Sequence, residues 1–573
     1  MEIGVGDRFL FVLIISTFAY KVLNFSQFFF FFVAIVAAWI FFQYHQKKHW
    51  HRLDVPGPNV NIFFGNTIKQ IRNGSIDVDR ENFSKYGNSF GSFLFDRREF
   101  CTKDPEMIRQ IFIKEFSHFQ NRFDFIPGQK EDAPKSLTRN MLNMLRDDEW
   151  KRVRNRVTPA FTTGKLKKLI PILCESTERL CKVFEEEYAP KKKEILLKDL
   201  YGRFLLDVIG RCGFSLDLDT FEEENVFVEK AQLVFNFGRK AQRIRMILCV
   251  TAKLLERFTG KTLAFAVDEQ FFIEMMGELY EKRRADPAAK ENYSDIFQLL
   301  MNAVEDDDQE EIANGNAAIS ADDAEIIHSE LRSDGKQQKH QQRKHLTKIE
   351  LFAQGFIILV AGMTMGIYFL ALKSVFCYFR FDTTGTTLTF ATYLLAIESE
   401  VQEKLRKEVN EILGEKEVMT YEQLKQMHYL YAVVQETLRM FPVAPKTNRE
   451  CSSDCVINGV PFQKGDFITL PIYIIQHDEA YYSNPDKFDP ERFMPEQKAA
   501  LDPLAFLTFG IGPRNCIGMR FAEFQMYVTL ALLVRRFRFS PGPNTPKFPP
   551  KLLSAEMLRA AEPIVVIAEK IRN

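Results

Sequence analysis

One cysteine in a glycine-rich loop constrains this chain more than any other feature. Cys516 lies in the stretch FGIGPRNCIG, residues 509–518, and a helical pattern of apolar residues begins directly afterwards at Met519. A helix N-terminus offers free backbone N–H groups and the positive end of the helix dipole, so this position favours a thiolate over a thiol. The glycines allow the backbone to approach a flat partner closely. The loop predicts a nucleophile, a redox sensor or a metal ligand, with a buried structural cysteine as the alternative.

The complete ten-residue sequence of the loop narrows the possible roles of Cys516. Its aromatic residue, glycines, arginine and cysteine resemble, in register, the haem-ligand loop of the cytochrome P450 superfamily. The resemblance implies that Cys516 is the thiolate axial ligand of haem iron, a ligand that favours O–O cleavage. It further implies that Arg514 contacts a haem propionate and that the cofactor-binding loop includes Phe509, Gly510 and Gly518.

Three more segments resemble propionate-binding motifs of that family. Arg122 lies in FQNRF, which resembles the stretch before the helix that covers the haem. Trp150 and Arg154 are four residues apart and so share one helix face; in the family such a pair donates to propionates. Arg449 matches a further propionate position. For Trp150 and Arg154 alone, a basic surface helix is the alternative.

A charged triad is predicted behind the cysteine loop. Glu436 and Arg439 lie three residues apart on one face of a helix that the apolar period predicts over Tyr431–Met440. Together with Arg492 they resemble the family's Glu-Arg-Arg network, in which buried charges hold one another and removal of one is costly. The predicted role is structural.

The oxygen-binding motif is split in this chain. Ala361-Gly362 and Asp382-Thr383 would together resemble the motif of the family's long central helix, but the eighteen residues 363–380 separate them. In the family the small pair leaves room for O2, and the acid with the threonine organises proton delivery by relay. If the insert is translated, we expect impaired oxygen activation, because one rigid helix no longer carries both halves.

Three interpretations of the insert remain open. It is a sequence artefact such as retained non-coding sequence, a real insert that loops out, or part of a transmembrane helix, since Leu351–Leu372 carries no charge. Its clean placement inside a motif favours the first.

Two apolar runs, Phe9–Ile15 and Phe28–Phe42, dominate the N-terminus. A span needs about 20 apolar residues, and Val22–Phe42 would reach. The basic residues that follow favour a cytosolic location for the rest of the chain; they are Lys47, Lys48, His49, His51 and Arg52. We predict an uncleaved anchor with its basic flank over 1–52, rather than a cleaved signal peptide or a buried core helix.

Residues 53–573 are predicted to form one catalytic domain. Val55–Pro58 resembles the proline-rich hinge that follows the anchor in microsomal members. Residues 305–345 carry charge runs with few aromatic residues and are predicted to be a disordered surface loop. By family position, the substrate pocket would involve Phe123, Phe125, Phe235 and Phe237.

Composition agrees with one large enzyme. The chain has 573 residues, 46% of them hydrophobic, and its 76 basic and 76 acidic residues balance, so no overall field favours nucleic acid. Nine cysteines include no CxxC pair, which argues against a disulfide framework or a zinc site. Cys451 and Cys455 are close, but no second pair completes a tetrahedral set.

The resemblance implies a mainly α-helical cytochrome P450 fold with small β-sheets (α+β), most similar to animal microsomal members that oxidise steroids and drugs. It implies haem b as cofactor and insertion of one oxygen atom from O2 into a hydrophobic small molecule. Electrons would come from NADPH through a separate NADPH–cytochrome P450 reductase, with cytochrome b5 as a further candidate. The expected location is the endoplasmic reticulum membrane, with the catalytic domain facing the cytosol.

A basic face around Lys151, Arg152 and Arg520 is predicted to meet an acidic partner. Two alternatives stay open for the activity. One is an isomerase-type member that rearranges a peroxide without O2. The other is a catalytically impaired or non-catalytic haem-binding relative, which the insert makes less remote.

Overall fold

The computed structural model describes residues 25–122, 136–221, 269–305, 346–361, 383–415, 418–554 and 557–571. Helices dominate these residues and short strands form small sheets, so the predicted fold class is confirmed. Several predicted features lie outside the described residues; they are the apolar run Phe9–Ile15, nearly all of the 305–345 loop, the 363–380 insert, and Phe123, Phe125, Phe235 and Phe237.

The α-helices in chain order are α1 (Phe25–Lys47), α2 (His49–Arg52), α3 (Thr67–Asn73), α4 (Ser75–Tyr86), α5 (Pro105–Arg109), α6 (Leu137–Asn140), α7 (Asp147–Val157), α8 (Thr163–Leu166), α9 (Ile170–Val183), α10 (Leu197–Phe214), α11 (Glu269–Ala285), α12 (Ala289–Asn292), α13 (Ile296–Glu305), α14 (Lys348–Ala361), α15 (Thr383–Ile397), α16 (Ser399–Leu413), α17 (Tyr421–Gln426), α18 (His428–Met440), α19 (Ile472–Gln476), α20 (Pro495–Ala499) and α21 (Met519–Arg536). Apolar spacing explains the longer ones: α16 buries Leu405, Val409 and Leu413, four residues apart, and ends at Gly414, whose φ is 56°.

The strands are β1 (Ser89–Leu94), β2 (Arg97–Thr102), β3 (Ile195–Leu196), β4 (Thr447–Glu450), β5 (Cys455–Ile457), β6 (Val460–Phe462), β7 (Phe467–Leu470), β8 (Phe537–Ser540), β9 (Leu552–Ser554), β10 (Leu558–Ala560) and β11 (Val565–Lys570). The largest sheet has the order β1-β2-β7-β4, with β2 and β7 parallel and the other pairs antiparallel. In this sheet Arg449 of β4 lies opposite Ile468 of β7, which places Arg449 at the sheet edge nearest the cysteine loop.

The main core forms where α9, α10, α15, α16, α18 and α21 pack on one another. Helix α21, which follows the cysteine loop, buries most of its length in this core. The loop is therefore attached directly to the main core.

Helices α14 and α15 both pack against α10. A Cβ atom at Gly213 of α10 would lie 3.7 Å from Ile358 of α14, and one at Gly385 of α15 would lie 3.1 Å from Leu205 of α10. Helix α14 thus contacts α10 near residue 213, and α15, which comes later in the chain, contacts α10 near residue 205. This order of contacts is that of a chain running antiparallel to α10.

Helix α1 is the described helix that is long and apolar enough to cross a membrane, over Phe29–Lys47. Its phenylalanines are exposed, as Phe30 at 73% and Phe41 at 70% show. The second apolar run therefore forms the candidate anchor that the sequence predicts.

The segment after α1 is docked on the domain. The Trp50 indole N–H donates to the Ser92 carbonyl at 3.0 Å, and the Gly91 N–H donates to the Pro56 carbonyl at 2.8 Å. A Cβ atom at Gly91 would lie 2.2 Å from Trp50, so only glycine permits this packing. The proline-containing junction is thus packed on strand β1.

Candidate functional site

The cysteine loop is a tight turn that ends where α21 begins. The Cys516 N–H donates to the Phe509 carbonyl at 2.8 Å, and the Asn515 N–H donates to the Gly512 carbonyl at 2.9 Å. Gly512 has φ of 72°, and a Cβ atom there would lie 2.0 Å from the Phe112 carbonyl oxygen. Glycine is therefore required at this position, and the geometry fixes Cys516 relative to the core.

Cys516 keeps exposed surface, although protein atoms surround its side chain. A Cβ atom at Gly518 would meet no other atom within 4 Å, so the loop is open on that side as well. A flat group could approach the backbone here without a steric clash.

The protonation of Cys516 differs from the sequence-based expectation. Burial raises the pKa of the thiol, although the Gly518 N–H and the charges of Arg154 and Arg122 act in the opposite direction. The helix terminus alone therefore does not hold a thiolate in this environment, because desolvation of the charged form outweighs it. Coordination to a metal ion would stabilise the thiolate instead.

Three arginines converge beside the loop: Arg449 and Arg514 are buried, and Arg122 is half-buried. The Arg122 side chain donates to the Arg514 carbonyl at 3.1 Å, and Arg449 donates to the Ile511 carbonyl at 3.4 Å. Each keeps one buried nitrogen without a hydrogen-bond partner, namely Nε of Arg122, Nε of Arg449 and Nη1 of Arg514. Within the described residues none of the three pairs with a carboxylate.

Backbone carbonyls and an aromatic ring hold Arg514 in place. Its Nε donates to the Gln120 carbonyl and its Nη2 to the Leu145 carbonyl, both at 2.8 Å. Its guanidinium lies 4.1 Å from the centre of the Trp150 ring. Trp150 is thus positioned under the arginine that the sequence associates with a propionate.

The close approach of these three guanidinium groups is electrostatically unfavourable when no carboxylate lies beside them. Burial, followed by the charges of Arg122 and Arg449, lowers the pKa of the Arg514 guanidinium to about 8. Burial lowers the pKa of Arg449 well below its usual value, and Arg122 adds to that shift. A buried cation cluster of this kind requires an anion to offset its desolvation.

Two arginines on α7 make internal contacts, and the propionate role predicted for Arg154 stays a prediction. Arg154 donates to the carbonyl and to the side-chain oxygen of Asn515, at 3.1 and 2.7 Å, and so braces the cysteine loop. Arg152 pairs with Glu350 at the start of α14 and is largely buried, so it is not freely available to a partner protein. Arg520 likewise donates to the Thr163 hydroxyl. Two of the three residues of the predicted basic face, Arg152 and Arg520, therefore make contacts within the protein.

The structure brings the charged triad together. Glu436 pairs with Arg439 at 2.7 Å and with Arg492 at 3.4 Å, and both Glu436 and Arg439 have no exposed side-chain surface. Arg439 also donates to the carbonyls of Gln476 and Pro485, at 2.8 and 2.7 Å. This network joins α18 to the segments that precede the cysteine loop.

Gln476 is a connection that sequence reasoning missed. Its side-chain nitrogen donates to the Arg439 carbonyl at 2.9 Å, and its oxygen accepts from the Leu507 N–H at 2.9 Å and the Thr508 hydroxyl at 3.0 Å. It links the triad directly to the residues before Phe509. A lone glutamine in an apolar segment gave no signal for this role.

The described residues of the split oxygen-binding motif lie at helix ends. Ala361 is the last residue of α14 and Thr383 the first of α15, while Gly362 and Asp382 lie outside the described residues. The relay role of Asp382 and Thr383 therefore stays a prediction.

Cys451 and Cys455 lie with their sulfurs 4.0 Å apart. No group of three or more potential metal ligands accompanies them within the part of the chain that the structure describes.

Comparison with known proteins decides the family. The family model described as Cytochrome P450 matches residues 55–364 and 380–567, nearly the whole domain. The chain belongs to the cytochrome P450 family. The match leaves out residues 365–379, which lie inside the predicted insert.

Two mammalian relatives show how far the similarity extends. Cytochrome P450 3A11 from Mus musculus is 31% identical over 531 residues, covering 92% of this chain and 94% of the relative. Cytochrome P450 3A5 from Homo sapiens is 31% identical over 532 residues, with the same coverage. This cytochrome P450 is therefore a monooxygenase, an oxidoreductase of a family whose members bind haem b.

The residues at the site fit that cofactor. Cys516 is exposed and offers a thiol, Gly518 leaves a face open, and the unpartnered arginine nitrogens suit the two propionate carboxylates of haem. The arginine cluster favours an anionic cofactor, because a pocket for an apolar substrate alone would not need buried cations.

Replacing Arg449 by methionine should affect the haem-free and haem-loaded forms in opposite directions. Arg449→Met removes a buried charge that has no carboxylate partner among the described residues, so the haem-free protein should gain unfolding free energy. Haem affinity should fall, because a propionate loses a charged donor. Urea unfolding of the haem-free protein and haem transfer to an acceptor protein measure the two effects. Destabilisation of the haem-free form would contradict the assignment.

Proposed function

We propose that this cytochrome P450 is a membrane-anchored haem-thiolate monooxygenase that inserts one oxygen atom from O2 into a hydrophobic small molecule. The observation that carries the proposal is the convergence of Cys516 with Arg122, Arg449 and Arg514, three arginines that have no carboxylate partner among the described residues and that each keep a buried nitrogen without a hydrogen-bond partner. Relatives that cover nearly all of the chain support the same reaction class.

Each residue of the site has a distinct proposed task. Cys516 supplies the axial thiolate, and Arg122, Arg449 and Arg514 bind the propionates. Arg154 positions the loop through Asn515. When bound, the haem supplies the O2 chemistry, while the protein supplies the thiolate charge, the orientation and a water-poor cavity.

Proton delivery is the proposed task of Asp382 and Thr383. A hydroxyl beside a carboxylate can pass a proton through water to a buried site, which is general acid catalysis by relay. The overall balance is one oxygen atom into substrate and one into water, with NADPH supplying two electrons.

The proposed substrates are xenobiotic, steroid or fatty-acid-like molecules. The electron donor would be the separate NADPH–cytochrome P450 reductase, with cytochrome b5 as a second donor. Helix α1 would hold the enzyme in the endoplasmic reticulum membrane, and the basic residues after it would keep the domain on the cytosolic side.

Reconstitution with the reductase tests the proposal. Purified full-length protein, reductase and lipid are combined with apolar substrates, and NADPH consumption and hydroxylated product are measured together. Substrate-dependent consumption coupled to product supports the proposal. Rearrangement of a hydroperoxide without NADPH would instead show an isomerase-type enzyme, and haem binding with neither activity would show a non-catalytic relative.

A further inference from the structure

Three chain segments meet beside the arginine cluster in an arrangement that we call the clasp. It consists of Asn121, in the loop before α6, of Arg146 and Asp147 at the start of α7, and of Glu450 at the end of β4. The roles given above to Cys516 and the arginine cluster do not involve these four side chains.

The first link of the clasp joins Asn121 to Asp147. The Asn121 side chain donates to Asp147 Oδ1 at 2.7 Å, and the Asp147 N–H donates to Asn121 Oδ1 at 2.9 Å. Asn121 is 1% exposed, so these bonds are shielded from water. Asp147 has φ of 46°, a backbone conformation that residues with a side chain keep only where their surroundings hold it. The reciprocal pair therefore fixes the start of α7 to the segment that carries Arg122.

The second link is a bidentate ion pair between Arg146 and Glu450. Arg146 Nη2 lies 3.0 Å from Glu450 Oε1, and Nη1 donates to Oε2 at 3.2 Å. Nη1 also donates to the Arg122 carbonyl at 3.4 Å. The Glu450 N–H donates to the Asn121 carbonyl at 2.8 Å, in an isolated antiparallel bridge. The ion pair thus closes the clasp by joining α7 to β4 across the segment 121–122.

All three arginines of the cluster are attached to the clasp. Arg122 and Arg449 are direct chain neighbours of clasp residues. Arg514 donates to the carbonyls of Gln120 and Leu145, each of which directly precedes a clasp residue. Opening of the clasp would therefore displace the three guanidinium groups together.

The position of Glu450 in β4 keeps its carboxylate away from the neighbouring Arg449. Successive side chains of a strand point to opposite faces, so the two residues of β4 do not meet. Glu450 pairs instead with Arg146, whose charge is among those that lower the pKa of Arg514. The carboxylate of the clasp thus neutralises an outer cation and leaves the Arg449 guanidinium available to an anionic ligand.

We propose that the clasp retains haem: its four residues are positioning residues that hold the arginine cluster on the propionates and thereby set the rate of haem loss. A propionate whose guanidinium partner is displaced loses charge-assisted hydrogen bonds, so an open clasp favours release of haem. The proposal rests on the proposed binding of the propionates by Arg122, Arg449 and Arg514.

Substitution of Glu450 separates this role from a simple effect of charge. Glu450→Gln removes a negative charge on the side of the molecule where the propionates bind, and Glu450→Arg reverses it. Charge alone would slow haem loss in both variants, because the propionates are anions. Loss of the ion pair predicts the opposite sign, with severalfold faster haem loss in Glu450→Gln and a larger increase in Glu450→Arg, where two cations would face each other.

Haem transfer from the full-length, haem-loaded ferric protein to excess apomyoglobin measures the rate. The wild type, both Glu450 variants, Arg449→Met and the control Glu81→Gln are compared below their unfolding temperatures. Glu81 forms a surface ion pair with Lys69 at 2.6 Å, so its substitution should leave the rate unchanged. The resonance Raman band of propionate bending is recorded for each protein, and we expect it to shift in the Glu450 variants but not in the control.

The second link is tested together with the first through Asp147. Asp147→Gly keeps the unusual φ accessible but removes the oxygen that accepts from Asn121, so haem loss should be severalfold faster. Asp147→Asn keeps an acceptor oxygen and tolerates the same φ. It should therefore lose haem more slowly than Asp147→Gly, although both variants remove the same charge.

The outcomes separate the clasp from the propionate assignment. Unchanged or slower transfer in the Glu450 variants, with faster transfer in Arg449→Met, would overturn the clasp and leave the assignment intact. An unchanged rate in Arg449→Met as well would overturn the assignment and the clasp with it. Faster transfer with an unmoved propionate band would show general loosening and overturn the positioning role. If Glu450→Arg gives no folded haem protein, the sign of the change in Glu450→Gln decides.

Discussion

Deletion of residues 363–380 is expected to raise monooxygenase turnover by at least about 100-fold, the usual scale of a general acid–base contribution. Ile358 and Gly385 are nine helical residues apart once the eighteen are removed, or about 13 Å along a helix. Their contact points on α10, Gly213 and Leu205, are eight residues or about 12 Å apart. The flanking helices are therefore spaced as parts of one continuous helix, and deletion should join them without moving either.

A deletion of equal length elsewhere provides the control. Removal of 315–332, inside the predicted loop 305–345, should leave turnover close to that of the full chain. Turnover of the full chain equal to that of the 363–380 deletion, with equal haem content, would contradict the prediction. Sequencing the source transcript across this segment shows independently whether the mature message encodes the eighteen residues.

Glu436→Gln is expected to destabilise the protein by about 3–5 kcal/mol, because Arg439 and Arg492 would lose their shared carboxylate in a buried site. Glu436 and Arg439 have no exposed side-chain surface. Arg439 in turn holds Gln476, which contacts the residues before the cysteine loop. Loss of folded, haem-containing protein should accompany the loss of stability, as measured by urea unfolding and by haem content.

The same substitution at an exposed ion pair isolates the effect of burial. Glu81 pairs with Lys69 at 2.6 Å, with side chains 57% and 40% exposed. Glu81→Gln should cost about 0–1 kcal/mol, as is typical of surface pairs. Equal effects of the two substitutions would show that the triad is not the structural lock proposed above.

Local patterns in the sequence predicted the local structure well. The helix after Cys516 begins at Met519, and the pairing of Glu436 with Arg439 follows from helical spacing. The arginines around the loop could be predicted only through family resemblance, since they are far apart in the chain.

Properties that depend on tertiary burial could not be predicted in this way. The helix terminus suggests a thiolate at Cys516, yet desolvation raises the pKa of the thiol. The sequence predicts Arg152 to be a surface cation, but it forms an ion pair with Glu350, almost 200 residues later in the chain. Gln476 links Arg439 to Leu507 and Thr508, and no sequence pattern predicts that these residues lie next to one another.

The spectrum of the reduced, CO-bound protein shows directly whether Cys516 ligates the haem iron as a thiolate. The full-length protein, Cys516→Ser and the control Cys455→Ser are loaded with haem and compared. We expect the long-wavelength Soret band of thiolate ligation in the wild type and in Cys455→Ser. We expect its loss in Cys516→Ser, with haem still bound through Arg122, Arg449 and Arg514. Persistence of that band in Cys516→Ser, or its absence from haem-loaded wild type, would contradict the assignment of Cys516.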